Sequence, residues 1–107
     1  MSFEYRIERD ADRVTVVPEG DISLETVDVL REVLRNVLQS QNVTHLDLDM
    51  SSVTFLDSSG IGVLVAAHRA AAARGTTLRL REPTAMVRMT LEITHLDGIL
   101  ISDSPVS

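Results

Sequence analysis

The sequence contains no cysteine, no lysine and no tryptophan, and its only aromatic residues are Phe3, Tyr5 and Phe55. Without cysteine the chain cannot form a disulfide, a thiolate metal site or a thiol nucleophile. Without lysine it cannot form a Schiff base or hold phosphates in the manner of a P-loop. A receiver domain would also need a lysine beside its aspartates. These absences exclude several classes of enzyme and of phosphate-transfer domain.

Positive charge is also scarce, because ten arginines face sixteen acidic residues and the net charge is −6. Such a charge argues against electrostatic binding to nucleic acid or anionic lipid, and it favours protein or small-molecule partners. The 107 residues, 44% of them hydrophobic, predict a single domain over residues 1–107. Neither a signal peptide nor an apolar run long enough to cross a bilayer is visible, so we expect a cytoplasmic protein without a membrane partner.

Four segments alternate apolar and polar residues or are rich in β-branched residues, which predicts strands at 3–8, 14–17, 45–50 and 78–81. The short polar turn between the first two predicts an antiparallel hairpin, and Pro18 is expected to end the second strand. A short final strand is expected at 99–101, and the tail from about residue 102 is expected to be loose.

Three further segments carry apolar residues at helical spacing. The first is expected at 24–39, with Ser23 as its N-cap at the end of a loop over 20–23. The second starts at Asp57 and stops before Gly75, and the third starts at Pro83. Strand–helix alternation predicts an α/β fold with a small mixed sheet and mostly parallel strands after the hairpin. Because the strands carry charges at alternate positions, we expect the helices mainly against one face.

The most informative motif is Asp57-Ser58-Ser59-Gly60-Ile61-Gly62, where a loop enters the second helix. Taken alone, it is most simply a helix cap. It lacks the leading glycine of a nucleophile elbow and the third glycine of a dinucleotide-binding loop. A regulatory phosphoserine is the remaining interpretation, because the added charge of about −1.5 to −2 would meet the positive end of the helix dipole.

His45, Asp47 and Asp49 fall on one face of the third predicted strand, a spacing compatible with metal ligands. We favour a solvated strand face, because neighbouring side chains of one strand are too parallel to enclose an ion. We therefore predict no metal.

The sequence resembles the STAS domain family, specifically the small bacterial anti-sigma-factor antagonists, over nearly its whole length. Segment 53–62 is similar to the phosphorylation segment of that family, and residues 19–22, 29–32, 93–94 and 96 supply further matches. The resemblance implies a STAS fold and a regulatory protein that is not an enzyme.

The resemblance further implies a partner switch, in which Ser58 matches the serine phosphorylated by an anti-sigma factor that is itself a serine kinase. The unmodified chain would bind this kinase and free a sigma factor, phosphorylation would end the binding, and a serine phosphatase would reset the cycle. ATP belongs to the kinase, so this chain needs no cofactor. The residues expected at the partner surface are Gly20, Asp21, Ser23, Asp57, Ser58, Ser59, Gly60, Ile61 and Gly62.

Two positions depart from the family pattern. Ser23 stands where the family commonly has aspartate, and His95 stands where it often has glycine. Two consequences stay open for these positions: an altered choice of partner, or a divergent switch. Two other functions stay open: an interaction module of another signalling or transport assembly in which Ser58 is only a cap, and a small-ligand or nucleotide-binding module. A monomer and a weak dimer are both compatible with the sequence.

Overall fold

The computed structural model describes residues 3–93. Its elements in chain order are β1 (Phe3–Asp10), β2 (Arg13–Ile22), α1 (Val27–Gln39), β3 (His45–Asp49), β4 (Val53–Leu56), α2 (Ser58–Ala73), β5 (Thr77–Arg81) and α3 (Ala85–Ile93). The strand expected at 99–101, the tail and the position of His95 lie outside the described residues.

Five strands form one mixed sheet in the order β1-β2-β3-β5, with β4 beside the second half of β2. β1 and β2 form the expected antiparallel hairpin, whereas β3, β4 and β5 are parallel to their neighbours. At the hairpin turn, a hydrogen bond from Thr44 lowers the pKa of the exposed Asp12 carboxyl and ties the turn to the start of β3. The predicted fold class is confirmed.

The core lies on one face of this sheet. Register places residues of three neighbouring strands side by side in two apolar rows: Val14, Leu46 and Leu78 in one, and Val16, Leu48 and Leu80 in the other. These rows belong to the same buried cluster as Leu30 and Leu34 of α1 and Leu64 of α2. As its amphipathic spacing predicts, α1 therefore packs its apolar side against the core.

The opposite face of the sheet is charged. Asp47 lies in the middle strand of this face, is buried, and pairs with Arg13 at 2.5 Å and with Arg81 at 3.8 Å. Asp49 accepts hydrogen bonds from the amide and hydroxyl of Ser51. Both carboxylates are thus engaged within the domain, and residues 3–93 hold no cluster of three potential metal ligands.

The expectation that Pro18 ends the second strand is wrong, because β2 continues to Ile22. β2 pairs with β3 only as far as Val16, and it pairs with β4 from Gly20 onward. Pro18 lies between these two ladders, so its missing N–H interrupts neither of them. Residues 20–22 of the expected loop over 20–23 are accordingly the end of a strand, and only Ser23 lies outside it.

Two further local expectations need correction. α1 begins at Val27 rather than at Leu24, because residues 24–26 form a separate turn. Segment 53–56, which the sequence pattern assigned to no strand or helix, is the short strand β4. Its outer two residues are buried and its inner two are exposed, a pattern without the period-two alternation that indicates a strand.

The other helix boundaries follow the sequence closely. α2 stops before Gly75, which adopts a φ of 76°, a backbone conformation that favours glycine. α3 begins two residues after Pro83 and packs against β4. No helix within residues 3–93 is long and apolar enough to cross a membrane.

Candidate functional site

The ends of β2 and β4 bring the two halves of the predicted site together. These strands are parallel neighbours, with Ile22 beside Leu56, so the residues that follow both strands emerge at one edge of the sheet. The amide of Asp57 donates to the carbonyl of Ile22 at 3.2 Å and continues this contact past the strand ends. The turn before α1 and the start of α2 are therefore adjacent.

Asp57 is the residue that joins these two segments. Its Oδ1 accepts hydrogen bonds from the amides of Ser59 at 2.9 Å and Gly60 at 3.1 Å, which caps α2. Its Oδ2 accepts from the amide of Leu24 at 3.1 Å, in the turn before α1. The helix-cap interpretation is confirmed, and the same carboxylate also fixes the position of the neighbouring turn.

Ser58 is the first residue of α2 and is exposed. The first amides of a helix and its dipole favour negative charge at this end. Because the cap is supplied by Asp57, the Ser58 hydroxyl is not needed to start the helix. The Ser58 hydroxyl is therefore accessible, and it lies at a helix terminus that tolerates negative charge.

The two glycines of the motif have different surroundings. A Cβ at Gly60 would lie 2.5 Å from Cδ1 of Leu56 and 2.7 Å from Cγ2 of Ile22, so this position accommodates only hydrogen. A Cβ at Gly62 would meet nothing within 4 Å. Gly60 is thus required for close packing against Leu56 and Ile22, whereas Gly62 has open space around it. Ile61, between them, is half-buried against the core.

Gly20 and Asp21 lie at an irregularity in β2, where its register with β4 shifts. Gly20 has a φ of 101°, which favours glycine at this position. The carboxylate of Asp21 accepts a hydrogen bond of 2.6 Å from the hydroxyl of Thr54 on β4. Both residues therefore shape the strand end beside the site.

Ser23 is not the N-cap of α1, contrary to expectation. Its backbone carbonyl accepts from the amides of Thr26 and Val27, so one turn separates it from the helix and Thr26 takes the cap position. Ser23 is buried, and its hydroxyl has no hydrogen-bond partner among residues 3–93. It cannot offer a partner the polar contact expected of an exposed cap.

Two apolar side chains near Ser58 were missed by the sequence analysis. Leu24 and Phe55 are large, apolar and exposed, one in the turn held by Asp57 and the other on β4. With Ser58 and Gly62 they make up what we call the Ser58 surface. Leu24 was expected inside a helix, and no local signal distinguishes its exposure from burial.

Known proteins resemble this chain over almost its full length. The anti-sigma-B factor antagonist of Listeria monocytogenes is 31% identical over 100 residues, which cover 94% of this chain and 86% of that protein. The anti-sigma F factor antagonist of Paenibacillus polymyxa is 23% identical and covers all of this chain and 92% of its own.

Solved structures share the fold at lower identity. The Bacillus protein SpoIIAA, an anti-sigma factor antagonist, superposes in its unphosphorylated form with a TM-score of 0.80 at 20% identity, over 92% of this chain and 86% of that one. Its phosphorylated form gives a TM-score of 0.73 at 19% identity, over 92% and 89%. A family model described as Mlab, STAS domain matches residues 4–102. The chain therefore belongs to the STAS domain family.

Proposed function

We propose that this chain is an anti-sigma-factor antagonist controlled at Ser58. In its unmodified form it binds an anti-sigma factor that is a serine kinase, and this binding frees a sigma factor. The kinase transfers the γ-phosphoryl group of its own ATP to the Ser58 hydroxyl, and the complex then separates. A serine phosphatase restores the alcohol. In this proposal residues 1–107 form one STAS domain that acts in the cytoplasm, without a cofactor and without catalysis of its own.

The observation that carries the proposal is that Asp57 caps α2 while Ser58, beside it, stays exposed and outside the cap. Asp57 is held by three backbone amides and fixes both the start of α2 and the preceding turn. Ser58 is exposed directly beside it and has no part in the cap. A phosphoryl group can therefore be added and removed while the surface around it keeps its shape.

Support also comes from the proteins that resemble the chain. Relatives covering most of its length are named anti-sigma factor antagonists, and SpoIIAA occurs in both an unphosphorylated and a phosphorylated form. The partner surface we propose consists of the Ser58 surface together with the half-buried Asp21, Asp57, Ser59 and Ile61.

The Ser58 surface also explains why phosphorylation would end binding. Exposed Leu24 and Phe55 are suited to burial against a partner, and a dianion set beside them would have to lose water when that partner docks. The carboxylate of the neighbouring Asp57 repels the phosphoryl group and does not neutralise its charge. A change from 1:99 to 99:1 in bound fraction needs about 5.5 kcal/mol, and like-charge contact with desolvation reaches several kcal/mol.

The direct test is incubation of the full chain with a candidate anti-sigma kinase and ATP, followed by intact-mass measurement. We expect wild type and Ser59→Ala to gain the mass of one phosphoryl group, and Ser58→Ala to gain none. Ser59→Ala is the matched control, because it removes the adjacent hydroxyl while its amide still donates to Asp57. Phosphorylation of Ser58→Ala would contradict the assignment.

Binding supplies the second half of the test. Ser58→Asp is expected to bind the kinase at least about tenfold more weakly than Ser58→Ala, as measured by calorimetry. Equal binding by the two variants would end the switch model. Recovery of a permease or an ATPase from cell extract, with no anti-sigma kinase, would instead favour an interaction module of another assembly.

A small-ligand function is the second candidate, favoured by a groove of about 350 Å³ between α1 and α2. Ala66, Ala67 and Ala70 contribute to its apolar part, and Arg31 and Arg74 also line it. Thermal-shift titration with ATP and GTP tests this function. A saturable shift that Arg74→Gln abolishes would support it, and no shift at millimolar ATP or GTP would exclude binding of these nucleotides.

A further inference from the structure

β1 is an edge strand. Within residues 3–93 it pairs only with β2, so its outer side presents a row of backbone N–H and C=O groups without a neighbouring strand. At eight residues it is also longer than a typical strand. An edge of this length is able to pair with another strand.

The face of β1 that continues the core is incompletely covered. Ile7 lies beside the fully buried Val16 of β2, and Tyr5 lies beside Pro18. Nevertheless Ile7 is 49% exposed and Tyr5 is 43% exposed. The core face of the sheet therefore ends in an apolar strip at the β1 edge.

The other face of β1 is charged, with one arginine among three acidic residues. Arg6 donates to Glu19 of β2 at 3.0 Å, and its second contact, to Glu8, is 3.9 Å long. Both Arg6 and Glu8 are well exposed. Charged groups spaced two residues apart on one strand face meet groups with the same spacing when two such strands run antiparallel.

We infer that the outer edge of β1 pairs with β1 of a second copy of this chain, antiparallel about a two-fold axis at Ile7. Ile7 then faces the partner's Ile7. Arg6 faces the partner's Glu8, and symmetry repeats this opposite-charge pair on the other side of the axis. Tyr5 faces the partner's Arg9, an arrangement that allows a cation–π contact.

Charge selects this register over its neighbours. An axis at Arg6 would set two arginines opposite each other, and an axis at Glu8 would set two glutamates opposite each other. An axis at Tyr5 would avoid like charges but would pair only residues 3–7 of β1 as the structure describes it. The Ile7 register pairs residues 4–10, and its one unfavourable contact, Glu4 against the partner's Asp10, falls at the strand ends, where solvent and salt screen it.

The pairing predicts a weak dimer with two free Ser58 surfaces. One edge strand buries little area, so association is expected only at high protein concentration. β2 separates β1 from β4, and Ser58 lies two residues after the end of β4. Dimerisation at β1 is thus independent of phosphorylation at Ser58, and either proposal can fail without the other.

The absence of cysteine permits a sharp test of this pairing. Ile7→Cys gives the full chain a single thiol at the proposed axis, and opposed Cβ atoms in such a pair lie within reach of a disulfide. We expect mild oxidation to yield the disulfide dimer of Ile7→Cys while Val29→Cys stays monomeric. Val29 is the matched control, because it is 47% exposed but lies on α1. Equal cross-linking of both variants would overturn the inference, and preferential cross-linking of Tyr5→Cys would overturn the register.

Charge reversal gives an independent readout in the same strand. Glu8→Arg places arginine opposite the partner's Arg6 and is expected to weaken dimerisation about tenfold in sedimentation equilibrium. Glu4→Arg makes the same charge change but places arginine opposite the partner's Asp10, so it is expected to strengthen the dimer. If both variants shift the equilibrium in the same direction, or if wild type stays monomeric at millimolar concentration, the pairing is refuted.

Discussion

At the scale of single residues, Gly60 and Gly62 offer a matched pair of substitutions on one helix. Gly60→Ala is expected to lower the free energy of unfolding by about 1–3 kcal/mol, because its Cβ would overlap Leu56 and Ile22. Gly62→Ala is expected to raise it by about 0.5–1 kcal/mol, because alanine favours an exposed helical position with open space around it. Urea denaturation measures both, and equal effects would contradict the inward packing of Gly60.

Ser23 allows a second test at this scale, because its two interpretations predict opposite changes in the free energy of unfolding when it is replaced by alanine. A hydroxyl buried without a partner costs free energy, so Ser23→Ala is expected to stabilise the protein by about 1 kcal/mol. Loss of an N-cap would instead destabilise it by about 1 kcal/mol. Thermal or urea unfolding decides between these outcomes. Thr26→Ala removes a hydroxyl that accepts from the Ser23 amide and donates to the Asp21 carbonyl, so it should be destabilising and serves as the comparison.

At the scale of elements, Asp57 holds α2 and the turn before α1 together. Asp57→Ala is expected to cost about 1–2 kcal/mol of unfolding free energy, because α2 loses its cap. Asp57→Asn is expected to cost less, since its amide oxygen can still cap α2 while its NH₂ group cannot accept from Leu24. Hydrogen exchange should therefore speed up at the Leu24 amide in both variants. An unchanged exchange rate would show that the turn is held by other contacts.

The sheet shows why some elements are harder to predict than others. β1, β3 and β5 were predicted because apolar and charged side chains alternate along them. β4 was missed because its four residues do not alternate. β2 continues past Pro18 because its neighbour changes there from β3 to β4. This change is set by contacts between segments distant in sequence. Local pattern carries no information about such a change of partner.

At the scale of the whole molecule, phosphorylation is expected to change charge without changing the fold. The net charge of −6 would become more negative by about 1.5–2 at neutral pH. Because the helix N-terminus tolerates an anion and Asp57 opposes it, the two effects on stability largely offset each other. We expect the thermal midpoint of the phosphorylated chain to stay within about 5 °C of the unmodified one. A larger change, or NMR shifts spread across the sheet, would indicate a conformational switch instead.

The sequence by itself determined the hairpin, the alternation of strands and helices apart from β4, and the capping motif at the start of α2, because periodicity and capping chemistry are local properties of a chain. Its short motifs also indicated the family. It also brought Ser58 forward as the candidate switch. Only the tertiary structure decided that Ser23 is buried, that Gly60 faces inward while Gly62 does not, and that Leu24 and Phe55 are exposed. Each of these depends on which distant strand or turn lies alongside, since burial is set by neighbours in space rather than by neighbours in sequence.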